Sequence, residues 1–410
     1  MPESKVDSVG ADLTFGERVK LLRSRRGLTR EVLGALIGKS GSWVKAIETG
    51  RLQQPKLPVL LRLAEALRVR DIAELTGDQS MPVHQFAGPG HPALPAVRDA
   101  LNALVLPDAP PPPLNHLRAR IDAAWRARHA APDHRTVLGR LLPDLIKDTQ
   151  HAVRLYESDD RRRAWAMLAD VYNLAQFFLA YQPAADLLWR VAERAMVAAQ
   201  EADAPGAIGG AAWLLVEAHR DAGDFEIAEG VNQQALDLIR PYMGNADHHL
   251  RARWGALLFA YAYTAARAGE NGTAWRMWDE ANDVAQRLPW DYYDPMTSFS
   301  RAVMGAHAVT TAVELRQGGE SRQQARRAAH LMIPSQPRRG RHLIEVARAY
   351  HLNNDKRSAL GSLNEAYVAA PETIRYNGHA RRILLEFTTE GPRELRREAN
   401  DLADRVGLLV

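Results

Sequence analysis

The densest concentration of like charge in this 410-residue sequence lies near its start, where 13 Lys or Arg and four Asp or Glu fall between Leu13 and Arg70. Ammonium and guanidinium groups at that density are suited to neutralising a polyanion, whose phosphates they can grip. Beyond residue 78 the chain holds 39 basic and 39 acidic residues, so the imbalance belongs to the N-terminal segment alone. Within that segment Gly34 to Ser40 reads GALIGKS, close to a phosphate-binding loop. Three residues instead of four separate its glycines and no strand precedes it, so the lysine belongs to a turn. No HExxH, GxSxG or GxGxxG motif occurs, and there is no Cys to act as nucleophile, metal ligand or disulfide partner. The 14 His are scattered, and the adjacent His248 and His249 splay apart on a helix without a carboxylate at ligand spacing. The expectation is a protein without catalytic site, metal or cofactor.

The elements that must position the basic residues are short helices. Phe15 to Arg26 is helical with Val19 and Leu22 on one face, and Gly27 stops it. Thr29 caps Arg30 to Ile37, where Val32, Leu33 and Leu36 are apolar; Gly38 permits a tight turn, and Ser40 caps Gly41 to Glu48, whose Val44 and Ile47 face inward. Leu57 to Leu67 and Asp71 to Leu75 complete a five-helix bundle. Two short helices joined by a glycine-containing turn in a basic module describe a helix-turn-helix.

The stretch LTREVLGALIGKSGSWVKAIETGRLQQPKLPVLLRLAEAL resembles the Cro/CI-type domain of lambdoid phage repressors and of the xenobiotic-response-element regulators. The likeness spans the turn glycine, the I-E-x-G ending of the third helix and the x-x-P loop after it. It implies that Gly41 to Glu48 enters a major groove, with Gly41, Ser42, Lys45 and Ala46 base-facing; Lys45 would read guanine and Ser42 several bases. Gly41 and Ala46 carry no polar group, which departs from the usual Gln, Arg or Ser and shifts weight to DNA shape and water. Arg30, Lys39, Ser40, Arg51, Gln53, Gln54 and Lys56 would contact phosphates.

Residues 81 to 113 hold nine of the 23 prolines, a semi-rigid linker in which Ala96 to Leu106 could form a docking helix. From Leu114 onward apolar residues recur every three or four positions and alternating strand patterns are missing, so the body is all helical. Gly223, Ala228 and Ala235, Gly269, Ala274 and Ala281, and Asn354, Ala359 and Ala366 repeat offsets of five and twelve across helix breaks. Ala180 with Ala185 and Ala192 fits too, and Glu320 fits loosely. Small residues at a turn and at helix crossings are what close antiparallel packing demands. The segment AAWLLVEAHRDAGDFEIAEGVNQQAL resembles a tetratricopeptide repeat, and the marker spacings of 43, 46, 51 and 34 residues put a regular open superhelix in doubt. Six or seven hairpins are expected.

Carrying the repeat register over residue by residue turns Asp170, Trp213, Glu217, Arg220, Asp221, Tyr263, Arg267, Thr310, Glu314 and Arg348 inward, with Asn173, Gln176 and Asn232 beside them. A lining of both charges and aromatics suits a short peptide. The layout is similar to the peptide-sensing Rap, Rgg, NprR, PlcR and PrgX group of Gram-positive bacteria and to actinobacterial regulators, and 46 Arg against seven Lys fits a GC-rich genome. The expected organisation is an all-α chain: a flexible segment 1–12, a Cro/CI-type domain 13–78, a Pro-rich linker 79–113 and tetratricopeptide-like hairpins 114–410. The resemblance implies a cytoplasmic, nucleoid-associated transcriptional regulator, a homodimer on two-fold operators, whose repeats bind a signalling peptide in a quorum-sensing role, without a membrane partner. The alternatives are a DNA-tethered scaffold whose repeats hold a partner protein, and a regulator without ligand.

Overall fold

The computed structural model describes residues 13–55, 57–67, 69, 72–77, 90–104, 110–328 and 332–408. Among them every regular element is a helix. The N-terminal domain consists of α1 (Phe15–Arg25), α2 (Arg30–Ile37), α3 (Gly41–Glu48), α4 (Leu57–Leu67) and α5 (Ala73–Thr76). Its local logic is capping. Thr14 and Glu17 form a reciprocal capping box on α1, Thr29 Oγ1 accepts from Val32 N at 3.2 Å, and Ser40 Oγ accepts from Trp43 N at 3.1 Å. Gly38 turns the chain at φ +70°, a left-handed conformation that costs a glycine nothing. Val19, Leu33, Ile37, Val44, Ile47 and Leu63 form the core. Of the apolar residues on α2, Leu33 and Ile37 are buried while Val32 and Leu36 are exposed.

The linker segment contributes α6 (Leu94–Asn102), which starts before the expected Ala96 and ends before Leu104, with Val97 and Leu101 buried in the body and Leu104 in solvent; Val105 and Leu106 of the expected helix lie outside the described residues. The body is a solenoid of hairpins. They are α7 (Leu114–Ala130) with α8 (His134–Leu155), α9 (Ser158–Leu179) with α10 (Ala185–Ala202), α11 (Pro205–Ala222) with α12 (Phe225–Ile239), and α13 (His248–Ala268) with α14 (Asn271–Gln286). Next come α15 (Arg301–Glu314) with α16 (Gly318–Arg327), and α17 (Gln336–Leu352) with α18 (Lys356–Ala369). A short α19 (Pro371–Tyr376) precedes the last pair, α20 (Gly378–Thr389) and α21 (Arg393–Val406).

The alanines at the repeated offsets do what their size allows. Ala228, Ala235, Ala274, Ala281, Ala359 and Ala366 are all buried where second helices cross first ones. First helices pack on one another to form the inner layer, and α17 returns to touch α7, so the layer closes. His129 Nδ1 lies 2.8 Å from Ser335 Oγ, and Glu372 accepts from Thr136 Oγ1 at 2.6 Å, sealing the seam. The concave side is therefore a lumen. The longest marker spacing, from Gly269 to Glu320, accommodates an irregular loop between α14 and α15 that enters this lumen. Asp294, fully buried, accepts from Thr297 N at 2.7 Å and from Arg253 Nε at 3.1 Å, while His129 Nε2 meets Pro295 O at 2.6 Å. Burial alone would raise the Asp294 carboxyl, but Arg253 and His249 hold it far below the usual carboxylate range. Charged Asp294 thus fixes the loop as a plug.

Candidate nucleic-acid interface and the lumen of the solenoid

In the helix-turn-helix, Gly34 allows the turn to fold tightly under α2, since a Cβ there would stand 2.6 Å from Lys39 O. Ser42 and Lys45 are exposed on α3, Gly41 and Ala46 are half-buried, and Ser42 Oγ lies 2.8 Å from Ser40 Oγ. The opposite face of α3 is anchored by Glu48, which is buried and accepts from Arg23 and, at 2.7 Å, from Arg30 Nε. Burial pushes that carboxyl up, the two arginines pull it down more strongly, and the net direction is down. Arg30, expected on phosphates, is thus committed to an internal brace.

Several of the remaining phosphate candidates face the solenoid. Lys39, its side chain almost fully buried, is ion-paired with Asp224, the residue after the Gly223 cap of α11. Burial lowers the Lys39 ammonium to about 8, with Arg62 repelling it as well, and the Asp224 pairing opposes that shift. Arg62 Nη2 approaches Ala222 O at 3.5 Å, so two cations point at the negative end of α11. Gln54 Oε1 accepts from Arg382 Nη1 at 3.3 Å. Gly269, at φ +81° on the C-terminus of α13, lies so close to Arg51 that a Cβ would stand 2.6 Å from its carbonyl oxygen. Ser40 is exposed and occupied by its cap, Gln53 is half-buried, and Lys56 lies outside the described residues. The turn glycines read from the sequence as repeat punctuation therefore also form the seat of the N-terminal domain.

The effector candidates separate into three groups. Trp213, Glu217, Tyr263 and Thr310 line a cavity of about 170 Å³ inside the lumen. Arg220, Arg267, Glu314 and Arg348 belong to a buried ion network around it: Arg220 meets Glu217 at 2.5 Å, and Glu314 meets Arg267 at 3.2 Å and Arg348 at 2.8 Å. Arg348 also reaches Glu345 at 2.7 Å, and Glu345 accepts from Arg341. Although burial opposes the charge on Glu314, Arg348 and Arg267 hold its carboxyl well below the usual range. These four are corrected from ligand contacts to supports, since none of them lines the cavity. Asp221 acts electrostatically on Arg220. Asp170 and Asn173 line a second chamber of about 670 Å³ beyond the plug, with Asp170 held by Arg118 at 2.8 Å. Gln176 and Asn232 donate to the carbonyls of Leu214 and Leu257 and so tie helices together.

Sequence reasoning missed Arg128, His134, Arg135, His307, Arg338 and Arg341, which line the smaller cavity. The first three lie in the α7–α8 hairpin, before the earliest repeat marker at Ala180. Arg338 and Arg341 lie in the first half of α17, whereas the register assigned only its second half. Burial, then repulsion from Arg135 and Arg128, keeps His134 well below its ordinary value, and burial with Arg338 does the same to His307. Both are neutral imidazoles at physiological pH. Among the described residues no group of three or more His, Asp or Glu is placed to hold a metal ion, and no helix is long and apolar enough to cross a membrane.

Residues 14–76 match the protein family described as "Helix-turn-helix domain". The chain thus carries an N-terminal helix-turn-helix domain followed by an all-α solenoid, the build of a DNA-binding regulator. Among solved structures it is similar to the "Crystal structure of BtubC (BKLC) from P. vanneervenii", at 14% identity and a TM-score of 0.38, over 68% of this chain and 94% of that one. No curated protein matches the chain.

Proposed function

We propose that this protein is a sequence-specific transcriptional regulator whose solenoid holds the helix-turn-helix domain by its phosphate-facing edge and releases it when an effector enters the lumen. The observation that carries this reading is the ion pair of Lys39 with Asp224, because Lys39 cannot serve a DNA phosphate and Asp224 at once. Exposed Ser42 and Lys45 remain available for base edges, while the seat on Gly223 and Gly269 obstructs the flanking backbone contacts. The effector is a short peptide or a comparable small molecule, in keeping with the mixed polar and aromatic lining of the lumen, and the working form is a homodimer on a two-fold operator. Tetratricopeptide-like hairpins over 114–410, behind a domain over 13–78 and the linker, supply the hinge. Effector and operator affect each other's affinity reciprocally, since each favours one arrangement of the two parts.

Fluorescence anisotropy with labelled genomic fragments tests the reading. Lys45→Ala should weaken binding to the preferred fragment by about 1–3 kcal/mol, the value of one base contact. Asp224→Asn should instead tighten it several-fold by freeing Lys39. Unaltered binding in Lys45→Ala removes the groove assignment, and unaltered binding in Asp224→Asn removes the inhibitory seat. Light scattering on the same samples should give the mass of a dimer.

A further inference from the structure

Three guanidiniums meet in the smaller cavity from three different helices. Arg128 comes from α7, Arg135 from α8 and Arg338 from α17. Arg128 and Arg135 are 7% and 4% exposed, and Arg338 is half-buried, opening to the cavity. None of the three forms an ion pair among the described residues; Glu372, which accepts from Arg135 N, attracts the Arg135 guanidinium without contacting it. Arg128 lies over the Phe177 ring, 3.9 Å from its centroid, and its Nη1 stands 3.3 Å from the neutral His129 ring. Arg135 donates to His134 Nε2 at 2.9 Å and Ala180 O at 3.2 Å, and Arg338 donates to His307 Nδ1 at 3.0 Å. The Nε atoms of Arg128 and Arg135 are buried without a protein acceptor. The two remaining charges on the wall, Glu217 and Arg341, are neutralised by Arg220 and Glu345.

A buried guanidinium without a counter-charge is costly, and its fork of donors matches the two oxygens of a carboxylate or phosphate. Three in one cavity repel each other as well: burial, then Arg135 and Arg338, lower Arg128 to about 10. The flanking Trp213 and Phe259 give the cavity an apolar side. Resting on the reading that the lumen takes an effector, we infer that the smaller cavity binds an oxyanion group, borne by a ligand with an apolar or aromatic body. The anion supplies the direct contact that no carboxylate of the protein makes with these guanidiniums. Because the guanidiniums come from α7, α8 and α17, binding draws together the seam at which the solenoid closes.

Thermal unfolding of the full-length chain tests this with phenylacetate, its neutral twin phenylacetamide, inorganic phosphate, and sodium chloride at matched ionic strength. Phenylacetate or phosphate should raise the midpoint with increasing dose, while the amide and chloride do not; whichever anion acts at the lower concentration identifies the source of the oxyanion. Arg128→Met and Arg338→Met should each weaken the response at least tenfold, and without ligand should unfold at the same or a higher temperature than the parent, because the first removes an unpaired buried charge and the second a cation that repels it. A response to the amide or chloride equal to that of the anions overturns the inference, as does a lowered midpoint in both ligand-free variants. An anion response without any change in DNA affinity supports the site and defeats the regulatory reading. An operator response to the neutral amide alone does the reverse.

Discussion

On one side of the lumen Glu314 holds Arg267 at 3.2 Å and Arg348 at 2.8 Å; on the other, Arg128 and Arg135 are as deeply buried and their guanidiniums touch no carboxylate. Both groups project from helices of similar length into the same space. The difference is that α15 and α17 bring an acid into contact with their arginines, Glu314 and Glu345, whereas the acid that α7 turns to the lumen, Asp122, is paired with Arg118 and leaves Arg128 without one. Burial therefore does not distinguish an arginine that builds the solenoid from one that serves a ligand. The presence of an internal counter-charge does, since an ion pair in a low dielectric satisfies itself and an unpaired ion seeks a partner.

The largest effect should come from breaking the balanced side. Glu314→Gln leaves Arg267 and Arg348 buried with weakened partners, and unfolding in urea should show a loss of about 3–5 kcal/mol. Arg128→Met should show little or none of that loss. Equal losses in the two variants would erase the distinction between the two sides.

How far this contrast could be read from sequence follows from the range of the interactions. The N-terminal domain is legible because its determinants are local: Thr29 and Ser40 cap, Gly38 turns, and Leu33 and Val44 lie where the helical period puts them. Arg30 reads as a phosphate contact because its partner Glu48 lies 18 residues away, beyond the reach of helical spacing. The solenoid is legible through its alanines, and Trp213, Glu217, Tyr263 and Thr310 reach the cavity as the register implies. Closure is not legible. The touch of α17 on α7, the plug held by Asp294 and the seat of Lys39 on Asp224 join residues up to about two hundred positions apart, and no periodicity encodes such pairs. Arg128 and Arg135 became site candidates only once that closure turned their hairpin toward Arg338.

A smaller effect is expected at Glu48, where the same kind of balanced, buried cluster sits in the helix-turn-helix instead of the lumen. Its carboxyl is lowered in the folded chain relative to the ordinary 4.5, because Arg23 and Arg30 outweigh burial. The stabilisation is then fully present above pH 4.5 and is lost as pH falls through the lower folded value. Circular dichroism melts between pH 6 and 3 should show a falling midpoint for the parent. Glu48→Gln should be less stable at pH 6 and flatter across the same interval; an identical slope would place the acid sensitivity elsewhere.

The smallest effect should come from a pair that has a counter-charge but no burial. Arg357 Nη2 meets Glu394 Oε2 at 2.9 Å, a distance as good as that of Arg348 to Glu314, yet the two side chains are 69% and 61% exposed. Water solvates both ions whether or not they meet, and holding two long side chains together has an entropic cost, so the pair should contribute less than about 1 kcal/mol. Salt should reduce even that, as the Debye length falls from about 10 Å at 0.1 M to about 3 Å at 1 M. Arg357→Ala should accordingly shift the urea midpoint only slightly at low salt and not at all at 1 M sodium chloride, whereas the Glu314→Gln loss should persist at both. A salt-insensitive loss in Arg357→Ala comparable to that of Glu314→Gln would mean that distance alone governs these pairs, and the line drawn between the two sides of the lumen would lose its physical basis.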